Sequence, residues 1–124
     1  MKRGLAAGAG GLVRLPRRVG LAVALEMAMT GDAIDAGEAY RIGLYNRVVE
    51  DLVVLAEARA FAARLAAGPS FALEITKDAL NREASMDLAG ALEAEARIQA
   101  SLMMHPDFRE AYEAFRDKRP ARFL

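Results

Sequence analysis

The sequence predicts a mainly α-helical protein, and three of its features support that prediction. Alanine, leucine, glutamate and arginine, which all favour helices, dominate the segments between only four prolines. Apolar residues recur every three or four positions in several of these segments, which is the spacing of one helix face. Residues 46–49 alone resemble a strand, and a segment that short builds no sheet by itself. We therefore expect a series of helices.

Glycines and helix caps delimit the predicted helices. Gly31 ends the second helix, because glycine readily adopts the left-handed conformation of a helix stop. Asp35 with Glu38, and Asp107 with Glu110, have the spacing of capping boxes, which open the third and the last helix. The predicted helices cover residues 11–19, 21–30, 35–43, 51–67, 70–81, 86–103 and 107–118.

Composition excludes several classes of function. The chain has 17 Lys and Arg against 17 Asp and Glu, so it lacks the positive charge of a nucleic-acid binder. It has no cysteine and one histidine, which excludes a disulfide framework and argues against a metal site or a Ser-His-Asp triad. The start of the chain imitates a short signal peptide but runs into arginines, and no segment reaches the roughly 18 apolar residues of a membrane span. We expect a cytoplasmic protein with no membrane partner.

The second predicted helix, 21–30, is apolar on almost every side, with Glu26 as its one charge. A helix of that kind has to be buried on every side. The other helices offer too little material to enclose it, because they are short and the first ten residues are rich in glycine and alanine. We expect either a homo-oligomer or one piece of a larger structure.

The run Gly8-Ala9-Gly10-Gly11 precedes the first helix and allows two interpretations. Exposed N–H groups at a helix start attract anions, so the run could hold a phosphate. It fits neither common phosphate-binding pattern, because Val13 stands where the next glycine would be and no Gly-Lys-Ser/Thr follows. The alternative is a tight passage that another backbone approaches closely.

Three ordered motifs resemble the C-terminal part of the enoyl-CoA hydratase/isomerase (crotonase) superfamily, and together they cover almost the whole chain. The first is Gly8-Ala9-Gly10-Gly11-x-x-Arg14-Leu15-Pro16-Arg17-x-Val19-Gly20. The second is Thr30-Gly31-Asp32-x-Ile34-x-Ala36-x-Glu38-Ala39-x-x-x-Gly43-Leu44-x-Asn46-x-Val48-Val49. The third is Asp107-x-x-Glu110 followed by Ala114-Phe115-x-x-Lys118-Arg119-Pro120-x-x-Phe123. The resemblance implies the helical region of a crotonase-like fold, without the N-terminal spiral of β-β-α units that precedes it in the family. Within it, residues 1–50 would lie near the active-site side, and residues 51–124 would form trimer contacts and cover coenzyme A (CoA).

The resemblance implies reversible hydration of a 2-enoyl-CoA, or a related isomerisation, with no metal or redox cofactor. That chemistry needs backbone N–H donors for the enolate oxygen and carboxylates for water and the α-proton. The family places these groups upstream, and counting back from Gly8 puts the second glutamate ahead of Met1. No catalytic residue is therefore assigned, and we expect the chain alone to be inactive. Hydratase, isomerase and a silent relative all stay open, because Ala7 replaces a proline, Leu12 and Val13 replace a polar pair, and Tyr45 replaces an aliphatic residue.

Three substrate-binding residues follow from the resemblance. Gly8 matches a glycine whose backbone helps to position the reacting water, although a plain turn would explain it equally well. Phe115 and Lys118 match residues that meet the adenine and phosphate of CoA, in some members across a subunit boundary. An aromatic ring stacks on adenine and an ammonium pairs with phosphate. The structural alternatives are a core anchor for Phe115 and a cation that complements the helix dipole for Lys118.

A second class of function also fits this sequence. The chain could be a non-catalytic helical module that forms oligomers or binds a partner through helix 21–30. Under the enzyme interpretation, the partners are acyl-CoA and further copies of the chain in a trimer or hexamer. We expect His105 to be an exposed loop residue. We expect the helical glutamates, Glu110 among them, to be solvated or capping residues.

Overall fold

The computed structural model describes residues 2–124, and these residues form seven α-helices and one short 3₁₀ helix. The mainly α prediction is therefore confirmed. The helices are α1 (Gly11–Val19), α2 (Leu21–Thr30), α3 (Ala36–Arg41), α4 (Val54–Ala66), α5 (Ser70–Glu83), α6 (Leu88–Met103) and α7 (Pro106–Arg116), and the 3₁₀ helix is Asp51–Val53.

The first three helices begin and end where local sequence signals place them. Gly20, with φ of 81°, separates α1 from α2, and Gly31, with φ of 65°, ends α2 in the left-handed conformation. The Asp35 side chain accepts a hydrogen bond from the Glu38 N–H at 2.7 Å and so caps α3. The Glu38 carboxylate does not complete the capping box, because it binds Arg41 instead.

Other boundaries differ from the prediction. Residues 46–49 form no strand, because no described segment pairs with them, and they lie in the irregular connection after α3. The predicted helix 51–67 begins as the 3₁₀ helix before α4. Helix α6 starts at Leu88 because Asp87 caps it, accepting the Gly90 N–H at 2.7 Å.

Helix α7 begins differently from the predicted capping box. Pro106 occupies its first turn, so the cap is His105, whose Nδ1 accepts the Asp107 N–H at 3.3 Å. Asp107 lies inside the helix and is buried. The capping-box prediction for Asp107 and Glu110 is therefore wrong, and both carboxylates bind the C-terminal segment instead.

The chain forms two compact units, which divide between Val53 and Val54. The buried apolar residues that the structure describes are alanines: Ala24 and Ala39 in the first unit, and Ala79 and Ala114 in the second. Among residues 2–124, no large side chain is fully buried. Both units therefore have small cores, and most of their larger apolar side chains are exposed.

Helix α2 illustrates this most clearly. Leu21 is 66% exposed, Leu25 is 49% exposed and Met29 is 68% exposed, although the helix is apolar almost all round. The burial expected for this helix is therefore not supplied by the described residues.

Within residues 2–124, no helix has both the length and the hydropathy that crossing a membrane requires.

Candidate functional site

The glycine turn before α1 is held by its own backbone and by one arginine. The Gly11 N–H donates to the Gly8 carbonyl at 2.9 Å. Ala9 and Gly10 both have positive φ, 50° and 83°. The guanidinium of Arg14 reaches back and donates to the Ala9 carbonyl at 2.5 Å. The turn is thus fixed by contacts within the first unit.

The two interpretations of the glycine run can now be compared with these contacts. The Gly11 N–H is already used by Gly8, and the Val13 N–H donates to the Gly10 carbonyl at 3.2 Å. These donors at the start of α1 therefore serve the turn itself. The geometry favours a tight turn over a phosphate cradle.

Gly8 and Gly10 differ in what a side chain would meet. A Cβ on Gly10 would lie 2.8 Å from Nη2 of Arg14, and the positive φ is itself unfavourable for other residues. Gly8 has no positive φ, and nothing lies within 4 Å of a Cβ built on it. The turn therefore requires glycine at position 10, whereas the described residues give no steric reason for glycine at position 8.

The second candidate region is the C-terminal end of α7. Lys118 has φ of 52°, which is left-handed and uncommon for a residue with a side chain. Its N–H donates to the Phe115 carbonyl at 3.3 Å, and the Arg119 N–H donates to the Ala114 carbonyl at 3.0 Å. These two bonds form a Schellman motif, in which the left-handed position is usually a glycine.

Phe115 lies in the last turn of α7 and is 86% exposed. The alternative of a core anchor is therefore wrong for the contacts of this chain, because a residue so exposed anchors nothing within its unit. The buried residue of that turn is the neighbouring Ala114. Phe115 thus presents an aromatic face at the helix end that Lys118 follows.

The cations near this helix end are not equivalent. Arg116 pairs with Asp117, at 2.8 Å from Nε to Oδ1. Arg119 pairs with Glu110 at 2.6 Å. Lys118 is exposed, and its ammonium has no ion-pair partner within the part of the chain that the structure describes. It is therefore a cation that can meet an anionic ligand.

Glu110 is a functional candidate that the sequence analysis interpreted as a capping or solvated residue. Its carboxylate accepts two hydrogen bonds from the Arg119 guanidinium, at 2.6 and 3.0 Å, and one from the Arg122 N–H at 2.7 Å. The Arg119 hydrogen bonds, and then that of Arg122, lower the pKa of Glu110 to about 2. Glu110 is therefore ionised at neutral pH and holds the segment after α7.

Asp107, which lies beside His105, makes a second attachment for the C-terminal segment. Oδ1 of Asp107 accepts the Leu124 N–H at 3.1 Å, and its buried Oδ2 lies 3.4 Å from Nδ1 of His105. The His105 ring stacks on Phe71, with ring centroids 4.7 Å apart. His105 thus lies in the bend before α7, as predicted for a loop residue, but it is a partly buried packing and capping residue and not an exposed one.

The predicted site residues fall into both units. Phe115 and Lys118 share one helix end in the second unit, whereas Gly8 belongs to the turn of the first. Glu110 and Asp107 join the second group through the C-terminal segment. Among residues 2–124, no three His, Cys, Asp or Glu side chains cluster as metal ligands.

Comparison with known proteins identifies the family. The enoyl-CoA hydratase/isomerase family profile matches residues 1–124. A Rhodobacter capsulatus protein named "Probable enoyl-CoA hydratase" is 44% identical over 120 residues, which are 97% of this chain and 47% of that protein. The crotonyl-CoA hydratase of Syntrophomonas wolfei is 36% identical over 121 residues, which are 98% of this chain and 46% of that protein.

Solved structures agree with the sequence comparison. The crystal structure of an enoyl-CoA hydratase from Mycobacterium tuberculosis H37Rv superposes with a TM-score of 0.93 at 33% identity. The match covers 99% of this chain and 49% of that one, so the chain spans about half the length of the relatives it matches. The chain belongs to the enoyl-CoA hydratase/isomerase family, and its helices correspond to the C-terminal helical region of the crotonase fold.

Proposed function

We propose that this chain supplies the nucleotide-binding and oligomer-forming helices of an enzyme that hydrates or isomerises 2-enoyl-CoA. The substrate is an acyl-CoA, and the reaction uses no metal or redox cofactor. Phe115 contacts the adenine and Lys118 pairs with a phosphate of CoA, while the Gly8 backbone helps to position the reacting water. The protein acts in the cytoplasm.

The conformation of Lys118 is the observation that carries this proposal. A left-handed residue with a side chain costs about 1–2 kcal/mol relative to glycine-compatible geometry. Glycine would complete the Schellman motif without that cost. Lys118 therefore holds a position where its side chain opposes stability, and its N–H binds the carbonyl of the exposed Phe115, so the two residues share one helix end. Recognition of an adenine nucleotide gives both side chains a reason to be there.

Gly8 supports the proposal by a different argument. Its φ is not left-handed and the space around a Cβ is empty. A small residue with a side chain would therefore fit the turn as well as glycine does. An approaching ligand gives a reason for glycine here that the turn does not.

The exposed face of α2 supports an oligomer and is also the observation that favours the second candidate, a non-catalytic module. Leu21, Leu25 and Met29 present apolar surface that another chain or segment would bury. Both candidates predict association. They differ in whether CoA binding accompanies it.

A hybrid enzyme tests the proposal. The hybrid replaces the matching part of the S. wolfei crotonyl-CoA hydratase with this chain, and the 124-residue chain alone is measured beside it. We expect the hybrid to hydrate crotonyl-CoA and the chain alone to show no turnover. Hydration is measured as the loss of enoyl-thioester absorbance. We expect Lys118→Met to raise KM at least about tenfold, because a charge-assisted contact is worth about 1.5–3 kcal/mol and about 1.4 kcal/mol is tenfold in affinity.

Two outcomes would contradict the proposal. The first is a hybrid with the parent's circular dichroism and oligomeric size that neither turns over crotonyl-CoA nor binds CoA. The second is turnover by the chain alone that a point substitution within it abolishes. A monomer on size-exclusion chromatography of both proteins would remove the argument from α2.

A further inference from the structure

The backbone of Lys118 is fixed on both sides. On the helix side, its own N–H and that of Arg119 bind the carbonyls of Phe115 and Ala114. On the other side, the Arg119 guanidinium is bound to Glu110 through two hydrogen bonds at 2.6 and 3.0 Å. Lys118 therefore cannot leave its left-handed conformation without breaking at least one of these contacts.

Glu110 is the hydrogen-bond acceptor that fixes the chain after Lys118. Besides Arg119, it binds the Arg122 N–H at 2.7 Å, so one carboxylate receives three hydrogen bonds from residues 119–122. Arg119 and Glu110 are nine positions apart, which means that the chain folds back along α7 to make this contact. Asp107 fastens Leu124 further along the same return.

The backbone of Lys118 sets the direction in which its side chain leaves the turn. The side chain is exposed and makes no ion pair within residues 2–124, so no contact of its own orients it. A change of φ from positive to negative redirects the bond from Cα to Cβ, and the whole side chain with it. An unfavourable conformation of this kind persists only where the surrounding structure enforces it.

We propose that Glu110 is a positioning residue for the nucleotide end of the substrate, acting through Arg119 to hold Lys118 where its ammonium meets a phosphate. The inference rests on the proposed function, since it presumes that Lys118 binds CoA. Glu110 itself touches no substrate in this scheme. Its effect is on the binding of acyl-CoA and not on the chemical step.

Four forms of the hybrid enzyme test this inference with two substrates. They are the parent hybrid and its variants Glu110→Gln, Lys118→Met and the double substitution. The substrates are crotonyl-CoA and crotonyl-pantetheine, which lacks the nucleotide that Lys118 would bind. Measuring KM and kcat for both substrates separates a loss of nucleotide contact from general damage to the fold, because general damage affects both substrates alike.

We expect Glu110→Gln to raise KM for crotonyl-CoA about three- to tenfold, with kcat within about twofold and crotonyl-pantetheine unaffected. Once Lys118 is methionine, we expect the Glu110 substitution to add less than about twofold, because the two residues act on one contact. Two further variants sharpen the test. Arg119→Lys keeps the charge but loses the two-pronged hydrogen bond, so it should resemble Glu110→Gln. Glu113→Gln removes a carboxylate of the same helix that acts on Arg119 through its charge but makes no hydrogen bond to it, so it should raise KM less than Glu110→Gln does.

The outcomes separate the inference from the proposed function. If Lys118→Met does not alter KM for crotonyl-CoA, the proposed role of Lys118 fails, and this inference fails with it. If Lys118→Met acts as expected, the inference alone is overturned when Glu110→Gln weakens both substrates equally or acts in full on top of Lys118→Met. Should Glu110→Gln not fold, the same comparison made with Arg119→Lys decides between these results.

Discussion

Two turns in this molecule use the same unfavourable backbone conformation for different ends. Ala9, before α1, has φ of 50°, and Lys118, after α7, has φ of 52°. Ala9 is held by the Arg14 side chain, which binds its carbonyl, whereas Lys118 is held by a Schellman motif and by Glu110 acting through Arg119. Only the second turn carries a side chain that could recognise a ligand.

The comparison indicates how a strained residue is to be interpreted. At Ala9 the side chain is one methyl group, so this residue offers a ligand only its backbone. At Lys118 a long charged side chain stands where glycine would relieve the strain. A positive φ therefore suggests binding only when the side chain offers chemistry that glycine lacks and has no partner within the fold.

The largest expected effect is on the glycine turn. We expect Gly10→Ala to lower the free energy of unfolding by about 2 kcal/mol, because φ of 83° is unfavourable for alanine and the new Cβ would displace Arg14. Chemical denaturation of the 124-residue chain measures this. Gly8→Ala is the matched control and should change stability by less than about 0.5 kcal/mol, since its surroundings are empty. Equal losses for both variants would contradict the different roles assigned to the two glycines.

Lys118→Gly should separate stability from binding. We expect the free energy of unfolding to rise by about 0.5–1 kcal/mol, because glycine relieves the left-handed strain. In the hybrid enzyme, KM for crotonyl-CoA should rise about tenfold, because the ammonium is lost. Lys118→Ala should raise KM as much as Lys118→Gly does, but without the gain in the free energy of unfolding. A Lys118→Gly protein with unchanged KM would mean that the lysine is kept for another reason.

Ala9→Gly is the counterpart in the first turn. It relieves the same strain, so we expect a similar gain of about 0.5–1 kcal/mol in the free energy of unfolding. KM in the hybrid enzyme should stay unchanged, because Ala9 contributes only its backbone. A rise in KM like that of Lys118→Gly would remove the contrast between the two turns.

The sequence predicts the ends of a helix well where residues close in sequence determine them. Gly20 and Gly31 end α1 and α2 with φ of 81° and 65°, values that residues with a Cβ rarely adopt. The Asp35 cap is equally local, since it contacts an N–H three residues away. Signals of this range can be read along the chain without knowing the tertiary structure.

The role of Glu110 could not be predicted in the same way. Asp107 and Glu110 have the spacing of a capping box, but their partners, Arg119, Arg122 and Leu124, return from 9 to 17 residues further on. One local signal argued against the capping box. Pro106 favours the first helical position, which makes the residue before it the cap. Likewise, the exposure of Phe115 depends on what packs against α7, which helix spacing does not determine.

The smallest expected effect concerns the acid stability of the second turn. Arg119 and Arg122 lower the pKa of Glu110 from its ordinary 4.5 to about 2. A carboxylate whose pKa is lower in the folded state stabilises the fold above its unfolded pKa, and that stabilisation is lost as the pH falls. We therefore expect the attachment of residues 119–122 to weaken between about pH 4.5 and 2, while Glu110→Gln, which does not titrate, lacks this component. Denaturation of both proteins at pH 5 and pH 3 measures the difference, and the parent chain should lose more stability than the variant. An equal loss would mean that the ion pair does not hold the second turn, and Lys118 would then owe its conformation to the Schellman motif alone.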